Sequence, residues 1–220
     1  MRAQRAAERQ VDLPVEHDRV SGDLVVPSSA LGIVIFAHGS GSGRLSPRNR
    51  EVAATLQHAG FGTLLFDLLT AREEEADAFT GHLRFDIPFL ARRLRSVTAW
   101  VAEQPDLASL AVGYFGASTG AAAALVAAAE RSVSAIVSRG GRPDLAGAAL
   151  DRVDAPTLLI VGGHDDEVIT LNQHAYQQLR TSEKRIVVVP GASHLFEEPG
   201  TLDVVARLAA DWFERYLRAG

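Results

Sequence analysis

Short runs of branched apolar residues alternate with longer amphipathic segments along this chain, and that alternation limits the possible folds more than any other feature. The runs include Gly32–Ala37 (GIVIFA), Gly62–Phe66 (GTLLF) and Thr157–Val161 (TLLIV). Continuous apolar runs of this length are typical of strands that are buried on both faces of a parallel sheet. The sequence therefore predicts an α/β fold with a doubly wound, mostly parallel sheet flanked by helices.

The other predicted elements keep this order from end to end. Ser46 and Pro47 are typical of the N-cap and first position of a helix, which we expect to run to about Ala59. The charged stretch Ala71–Arg84 is the least regular part of the chain, and we interpret it as a surface loop. No linker, repeat or low-complexity segment divides the chain, so we expect one domain over residues 1–220. The remaining predicted elements are antiparallel strands over Val11–Glu16 and Leu24–Pro27, a helix over Phe85–Glu103, a strand within Leu107–Phe115, a helix over Ser118–Glu130, a strand over Val133–Ser138, a short helix over Asp144–Leu150, a helix over Leu171–Leu179, a strand over Arg185–Val189 and a helix over Leu202–Leu217.

Composition and charge narrow the function without identifying it. The chain has a formal net charge of −5, which argues against a general nucleic-acid binder, whose domains are usually basic. It contains no cysteine, which excludes disulfides, zinc–thiolate sites and a cysteine nucleophile. Met1–Gln10 is polar and unlike a secretory signal, and no apolar run approaches the roughly 20 residues of a membrane span. We therefore expect a cytoplasmic protein without nucleic-acid or membrane partners.

The strongest chemical signal is a G-x-S-x-G pattern, Gly116 to Gly120, between a predicted strand and a predicted helix. A serine on such a tight turn holds its hydroxyl clear of the backbone, and the flanking glycines allow strand and helix to approach closely. The following helix directs its positive N-terminal end and the amide of Thr119 toward the site, where they can stabilise an oxyanion. Ser118 is the candidate nucleophile.

A serine nucleophile needs a base, and the base needs an orienting acid. His194 follows the last predicted strand in a glycine-containing turn, where it can reach Ser118, whereas His174 lies within a predicted helix. The acid is expected after the preceding strand, in GGHDDEV. Asp165, Asp166 and Glu167 are all available there, and composition alone does not choose among them.

A glycine-rich loop, His38 to Gly43 (HGSGSG), directly follows the GIVIFA strand. Glycines there allow a backbone amide to point at the reacting oxygen, and the Ser40 amide is the expected second oxyanion donor, with Gly41 as the alternative. A phosphate-binding loop is disfavoured, because no G-K-[ST] follows and no third glycine completes G-x-G-x-x-G. No H-E-x-x-H or comparable cluster predicts a metal site.

Taken in order, HGSGSG, FGASTG, LLIVGGHDDEV and GASHLFEEPG resemble the α/β-hydrolase superfamily, specifically its dienelactone hydrolase-like branch. The resemblance extends from about Gly32 to the final helix. The G-x-D-x-x-V pattern of such proteins selects Asp165 as the acid. Dienelactone hydrolases proper use a cysteine nucleophile, whereas this chain has serine, which suits ester hydrolysis in general. Only about eighteen residues separate Ser138 from Thr157, so no cap domain is expected.

The resemblance implies a serine hydrolase of small carboxyl esters or lactones that needs no metal or other cofactor. Ser118 attacks the carbonyl, His194 transfers the proton, Asp165 orients His194, and the amides of Thr119 and Ser40 hold the oxyanion. Two other functions remain open. One is a non-catalytic binding module with the same fold, and the other is acyl transfer or thioester cleavage by the same three residues.

Several arginines fall at the expected ligand-binding edge of the sheet, and Arg139 is the most notable of them. It leaves a predicted buried strand directly into Gly140-Gly141. Open α/β sheets bind ligands at this edge, and a guanidinium there can hold a carboxylate through two parallel hydrogen bonds. Arg139 therefore predicts a preference for acidic esters or lactones over neutral ones. The others are Arg44, Arg48, Arg50 and Arg142.

Overall fold

Within residues 7–217, which the computed structural model describes, eight strands form one sheet in the order β1-β2-β4-β3-β5-β6-β7-β8. β2 pairs antiparallel with β1 and with β4, and all other neighbours are parallel. The mostly parallel sheet and its antiparallel start are therefore confirmed. The strands are β1 (Ala7–Val15), β2 (Asp18–Val26), β3 (Ile33–Ala37), β4 (Gly62–Phe66), β5 (Val112–Ala117), β6 (Ala135–Arg139), β7 (Thr157–Gly162) and β8 (Lys184–Val189).

Helices cover both faces of the sheet, because its central strands are apolar on both sides. Successive residues of β5 show the division: Tyr114 lies in the core on one face and Phe115 in the core on the other. The helices are α1 (Pro47–His58), α2 (Ala71–Thr80), α3 (Ile87–Glu103), α4 (Thr119–Glu130), α5 (Asp166–Gln178) and α6 (Thr201–Tyr216). The Phe115 core contains α1 and α6, and the Tyr114 core contains α3, α4 and α5.

The start of α1 forms as its sequence predicts. The Ser46 hydroxyl accepts a hydrogen bond from the Asn49 amide (3.4 Å), and Pro47 occupies the first helical position. The helix ends at His58, just before Gly60, whose φ of 91° suits glycine. This places the N-terminal end of α1 directly after the glycine-rich loop.

The prediction of a surface loop over Ala71–Arg84 is wrong, because the segment folds into α2 and a 3₁₀ turn at Leu83–Phe85. Thr70 and Glu73 form a reciprocal capping box: the Glu73 amide donates to the Thr70 hydroxyl (3.2 Å), and the Thr70 amide donates to the Glu73 carboxylate (2.8 Å). Gly81, at φ 63°, then ends α2 in the left-handed conformation. The charged residues thus belong to a helix and not to an irregular segment.

The connection between β6 and β7 is short, and no inserted cap domain occurs within the described residues. Pro143–Arg152 forms 3₁₀ turns that are interrupted at Gly147 (φ 52°), where a single short helix over Asp144–Leu150 was predicted. No helix of residues 7–217 is long and apolar enough to cross a bilayer. Of the polar segment Met1–Gln10, residues 1–6 lie outside the described residues.

Candidate active site

Ser118 lies at the turn between β5 and α4 with φ 49° and ψ −122°, a backbone conformation that non-glycine residues rarely adopt. A Cβ atom at Gly120 would collide with the carbonyl oxygens of Ala37 and His38, which explains why glycine is needed there. The Ser118 amide donates to the Arg139 carbonyl (3.3 Å), and its hydroxyl has no hydrogen-bond partner among the described residues. The turn therefore presents a free hydroxyl at the carboxyl edge of the sheet.

His194 and Asp165 are in direct contact at the ends of β8 and β7. The His194 Nδ1 atom lies 2.6 Å from Asp165 Oδ2. An ionised carboxylate only accepts hydrogen bonds, so Nδ1 carries the proton and Nε2 is left free to act as a base. Asp166 is exposed at the start of α5 and does not make this contact. Of the carboxylates that composition left open, the structure brings Asp165 to His194.

Ser118 and His194 lie beside the same strand end. The backbone carbonyl of Arg139, the last residue of β6, accepts a hydrogen bond from the Ser118 amide, and Gly140 is the next residue after Arg139. A Cβ atom built on Gly140 would lie 2.9 Å from the His194 carbonyl oxygen and 3.6 Å from its ring Cε1. The two side chains therefore share one edge of the sheet, although no hydrogen bond joins them in this structure. His174, the histidine read as a helix residue, is exposed on α5.

The glycine-rich loop packs directly on the serine turn. His38 is buried: its Nε2 accepts the Leu68 amide (2.9 Å) and its Nδ1 donates to the Gly39 carbonyl (3.0 Å). Burial lowers the pKa of His38, which keeps the ring neutral and suited to both bonds. The Ser40 amide donates to the Thr119 hydroxyl (3.0 Å), whereas the Gly41 amide has no partner among the described residues. The two predicted oxyanion residues are therefore adjacent, but the Ser40 amide is bonded to Thr119 and does not point freely toward a substrate oxygen.

A cavity of about 160 Å³ lies between the glycine-rich loop and α2. Ser40 and Thr119 are among the residues that line it. Leu68, Leu90 and Ala78 contribute apolar lining, and Asp67, Glu74 and Arg84 contribute charged lining. The sequence does not predict this cavity, because part of its wall is α2, which lies in the segment that the sequence analysis interprets as a loop.

Two buried charge contacts fix this helix. Arg93 of α3 has a side chain only 2% exposed, and its guanidinium donates to both carboxylate oxygens of Glu73 (2.6 and 3.0 Å). The carboxylate of Asp77 accepts from the Leu83 amide (2.6 Å) and from Arg84 Nε (2.6 Å). Burial raises the pKa of Asp77, but these hydrogen bonds outweigh it and hold that pKa below its ordinary value. The T-x-x-E capping box of Thr70 and Glu73 is the sequence signal that could have revealed α2 itself, although not these charge contacts.

Arg139 is buried at the end of β6 without a carboxylate partner among the described residues. Its Nη2 donates to Asn49 Oδ1 at 3.4 Å, while Nε and Nη1 have no partner. Burial, followed by repulsion from Arg48, lowers its pKa to about 10. The other arginines at this edge form ion pairs: Arg44 with Asp23 and Asp67, Arg48 with Glu197, Arg50 with Asp23, and Arg142 with Asp144.

Comparison with known proteins places this geometry in a family. The family model described as PET hydrolase-like matches residues 72–219. A protein from Anabaena variabilis whose crystal structure is described as a dienelactone hydrolase is 60% identical, with a TM-score of 0.95 over 97% of this chain and 100% of that one. The chain belongs to the dienelactone hydrolase-like branch of the α/β-hydrolases. The resemblance inferred from its motifs is therefore confirmed.

Two further similarities say less about this chain. An esterase from Pyrococcus furiosus is 16% identical, with a TM-score of 0.75 over 96% of this chain and 94% of its own, and shows a shared fold. A Mycobacterium tuberculosis protein named as a phosphoribosyl transferase is 62% identical over 200 residues, which are 90% of this chain. The present chain spans only 44% of the length of that relative.

Proposed function

We propose that this protein is a serine hydrolase of small carboxyl esters or lactones that works through an acyl-enzyme. The contact between His194 Nδ1 and Asp165 Oδ2 (2.6 Å), beside a serine at φ 49°, is the observation that carries the proposal. A histidine–carboxylate pair of this kind leaves Nε2 free to exchange a proton with a reacting group at the edge of the sheet. The partly buried Ser118, whose hydroxyl has no hydrogen-bond partner among the described residues, is the group that this fold presents there.

The reaction proceeds in two balanced halves. The Ser118 oxygen attacks the ester carbonyl carbon while its proton passes to His194 Nε2. The resulting oxyanion collapses, the bond to the alcohol oxygen breaks, and His194 returns the proton to the leaving alcohol. Water then attacks the acyl-enzyme in the same way, and the released Ser118 oxygen recovers a proton from His194. Asp165 holds the imidazole and stabilises its charged form throughout.

The substrate features follow from the surroundings of Ser118. The cavity beside Thr119 suits a short apolar acyl group where leucine and alanine side chains line it, and Asp67, Glu74 and Arg84 also border it. The guanidinium of Arg139 suits a carboxylate on the other part of the substrate, since a buried cation without a carboxylate partner gains most from an incoming anion. The substrate class is therefore a small ester or lactone, with acidic substrates preferred.

The proposal is tested with purified protein on a panel of p-nitrophenyl esters and lactones, comparing the wild type with Ser118→Ala. We expect wild-type turnover and a loss of roughly 10⁴-fold or more in the variant, because the three catalytic residues act as a unit. The substitution removes one oxygen atom and leaves the melting temperature close to that of the wild type. Near-normal hydrolysis by Ser118→Ala would refute the serine mechanism. Absence of wild-type hydrolysis across the panel would favour the non-catalytic module.

A further inference from the structure

The hydroxyl of Thr119 lies between the glycine-rich loop and the cavity. Thr119 is the first residue of α4 and is 3% exposed, and it lines the cavity together with Ser40. Its Oγ1 accepts a hydrogen bond from the Ser40 amide at 3.0 Å. A threonine hydroxyl can accept and donate at the same time. This contact uses its accepting capacity and leaves its proton available.

That proton has no acceptor within the described part of the chain. Three helical threonines donate theirs to the carbonyl four residues earlier: Thr55 to Glu51, Thr98 to Leu94 and Thr170 to Asp166. Thr201, which like Thr119 is the first residue of its helix, donates to the Glu198 carbonyl three residues earlier. Thr119 makes neither bond, and the residues three and four positions before it belong to β5. A buried donor without an acceptor is unfavourable unless a ligand supplies the acceptor.

We propose that the Thr119 hydroxyl is a catalytic hydrogen-bond donor to the substrate's carbonyl oxygen, an inference that rests on the proposed serine hydrolase function. The same residue then offers two donors, its backbone amide at the positive end of α4 and its hydroxyl. The Ser40 amide acts through Thr119, because an O–H group whose oxygen already accepts an N–H is a stronger donor. The bond shortens as negative charge develops on the carbonyl oxygen in the transition state.

The test compares Thr119→Val, which keeps the shape and removes the hydroxyl, with Thr119→Ser, which keeps the hydroxyl. Loss of one oxyanion donor lowers kcat by about 10²–10³-fold. We expect a smaller loss of about 10–10²-fold in Thr119→Val, because the freed Ser40 amide replaces part of the lost interaction. KM for p-nitrophenyl butyrate should change little, Thr119→Ser should retain most activity, and Thr55→Val on α1 is the matched control.

A second readout separates donation from a structural role. A trifluoromethyl ketone adds reversibly to an active-site serine and places a negative oxygen where the reaction does. Its inhibition constant should rise in Thr119→Val by the same factor as kcat falls. Thermal melting of Thr119→Val shows whether this variant folds like the wild type. Thr119→Ala is a second variant that lacks the hydroxyl, in case the valine variant has a folding defect.

Two results overturn the proposal, and they are distinguishable. Thr119→Val activity equal to or above that of the wild type, with unchanged ketone binding, shows that the hydroxyl only holds or blocks the Ser40 amide, and the serine hydrolase function stands. A wild-type protein that hydrolyses no ester and binds no ketone refutes the hydrolase and the Thr119 donor together.

Discussion

Replacing Arg139 by methionine should make the protein more stable while reducing its preference for acidic substrates. The guanidinium is buried, two of its three nitrogens have no partner, and its pKa is lowered to about 10. A base whose pKa is lower in the folded state destabilises the fold in its charged form. This penalty is fully present below about pH 10 and disappears as the pH rises from there toward the ordinary pKa of arginine. At pH 7 the wild-type protein is therefore destabilised by the full penalty of the buried charge.

The expected magnitude follows from the two pKa values. A tenfold difference in proton affinity corresponds to about 1.4 kcal/mol, so lowering the pKa of Arg139 from its ordinary value to about 10 corresponds to about 3 kcal/mol. Part of this gain is lost, because Asn49 Oδ1 gives up its 3.4 Å contact with Arg139. We expect Arg139→Met to stabilise the fold by about 1–2 kcal/mol, which raises the melting temperature by about 2–8 °C for a domain of this size.

The assay is thermal unfolding at pH 7, with Arg142→Met as the matched control. Arg142 forms a partly exposed ion pair with Asp144, and such pairs contribute at most about 1 kcal/mol, so the control should be unchanged or slightly less stable. In parallel, KM for p-nitrophenyl hemiglutarate should rise about tenfold or more in Arg139→Met, from loss of a charged hydrogen bond. KM for neutral p-nitrophenyl valerate should barely change. A lower melting temperature, or equal effects on both substrates, would show that Arg139 is a structural residue.

The remaining predictions concern the acid, the cavity and the anchor of α2. Asp165→Asn should lower kcat about 10²–10⁴-fold by favouring the wrong His194 tautomer, whereas Asp166→Asn should change kcat little. A large loss of kcat in Asp166→Asn and a small one in Asp165→Asn would contradict the assignment of Asp165 as the acid. Ala78→Leu should fill the cavity and reduce kcat/KM for a hexanoate ester about tenfold relative to an acetate ester. Ala76→Leu on the outer face of α2 is the control. If the two variants and the wild type prefer the same ester chain lengths, this cavity is not the acyl site. The lowered pKa of Asp77 stabilises the fold above its ordinary value of 3.8, and this stabilisation is lost as the pH falls below it. Asp77→Asn should therefore melt at a lower temperature than the wild type at pH 7 and approach it near pH 3, and a constant difference would rule out this linkage.

The sheet and the candidate catalytic residues were predictable because each has a local signature. Strands such as β3 and β4 are buried at every position, and their uninterrupted apolar runs reflect this directly. Ser118, Asp165 and His194 each follow a strand end, so the parallel topology alone brings them to one edge of the sheet.

The features that escaped prediction depend on contacts between distant segments. The ion pair between Arg93 and Glu73 fixes α2, and because these residues are twenty positions apart, no local sequence pattern predicts it. The bond from the Ser40 amide to the Thr119 hydroxyl joins residues 79 positions apart. α5 begins at Asp166 and not at the predicted Leu171, because acidic residues in a first turn are favoured by the helix dipole although they interrupt the apolar pattern.

The most direct test of the central claim is covalent labelling with a fluorophosphonate, followed by intact-mass measurement and peptide mapping. An activated serine displaces fluoride from phosphorus and retains the phosphonyl group, so the proposed mechanism predicts one adduct, on Ser118. Ser118→Ala should remain unlabelled under the same conditions, and Asp165→Asn should label far more slowly because its His194 is misoriented. Active wild-type protein that takes no label, or that carries the adduct on another residue, would contradict the assignment of Ser118 as the nucleophile.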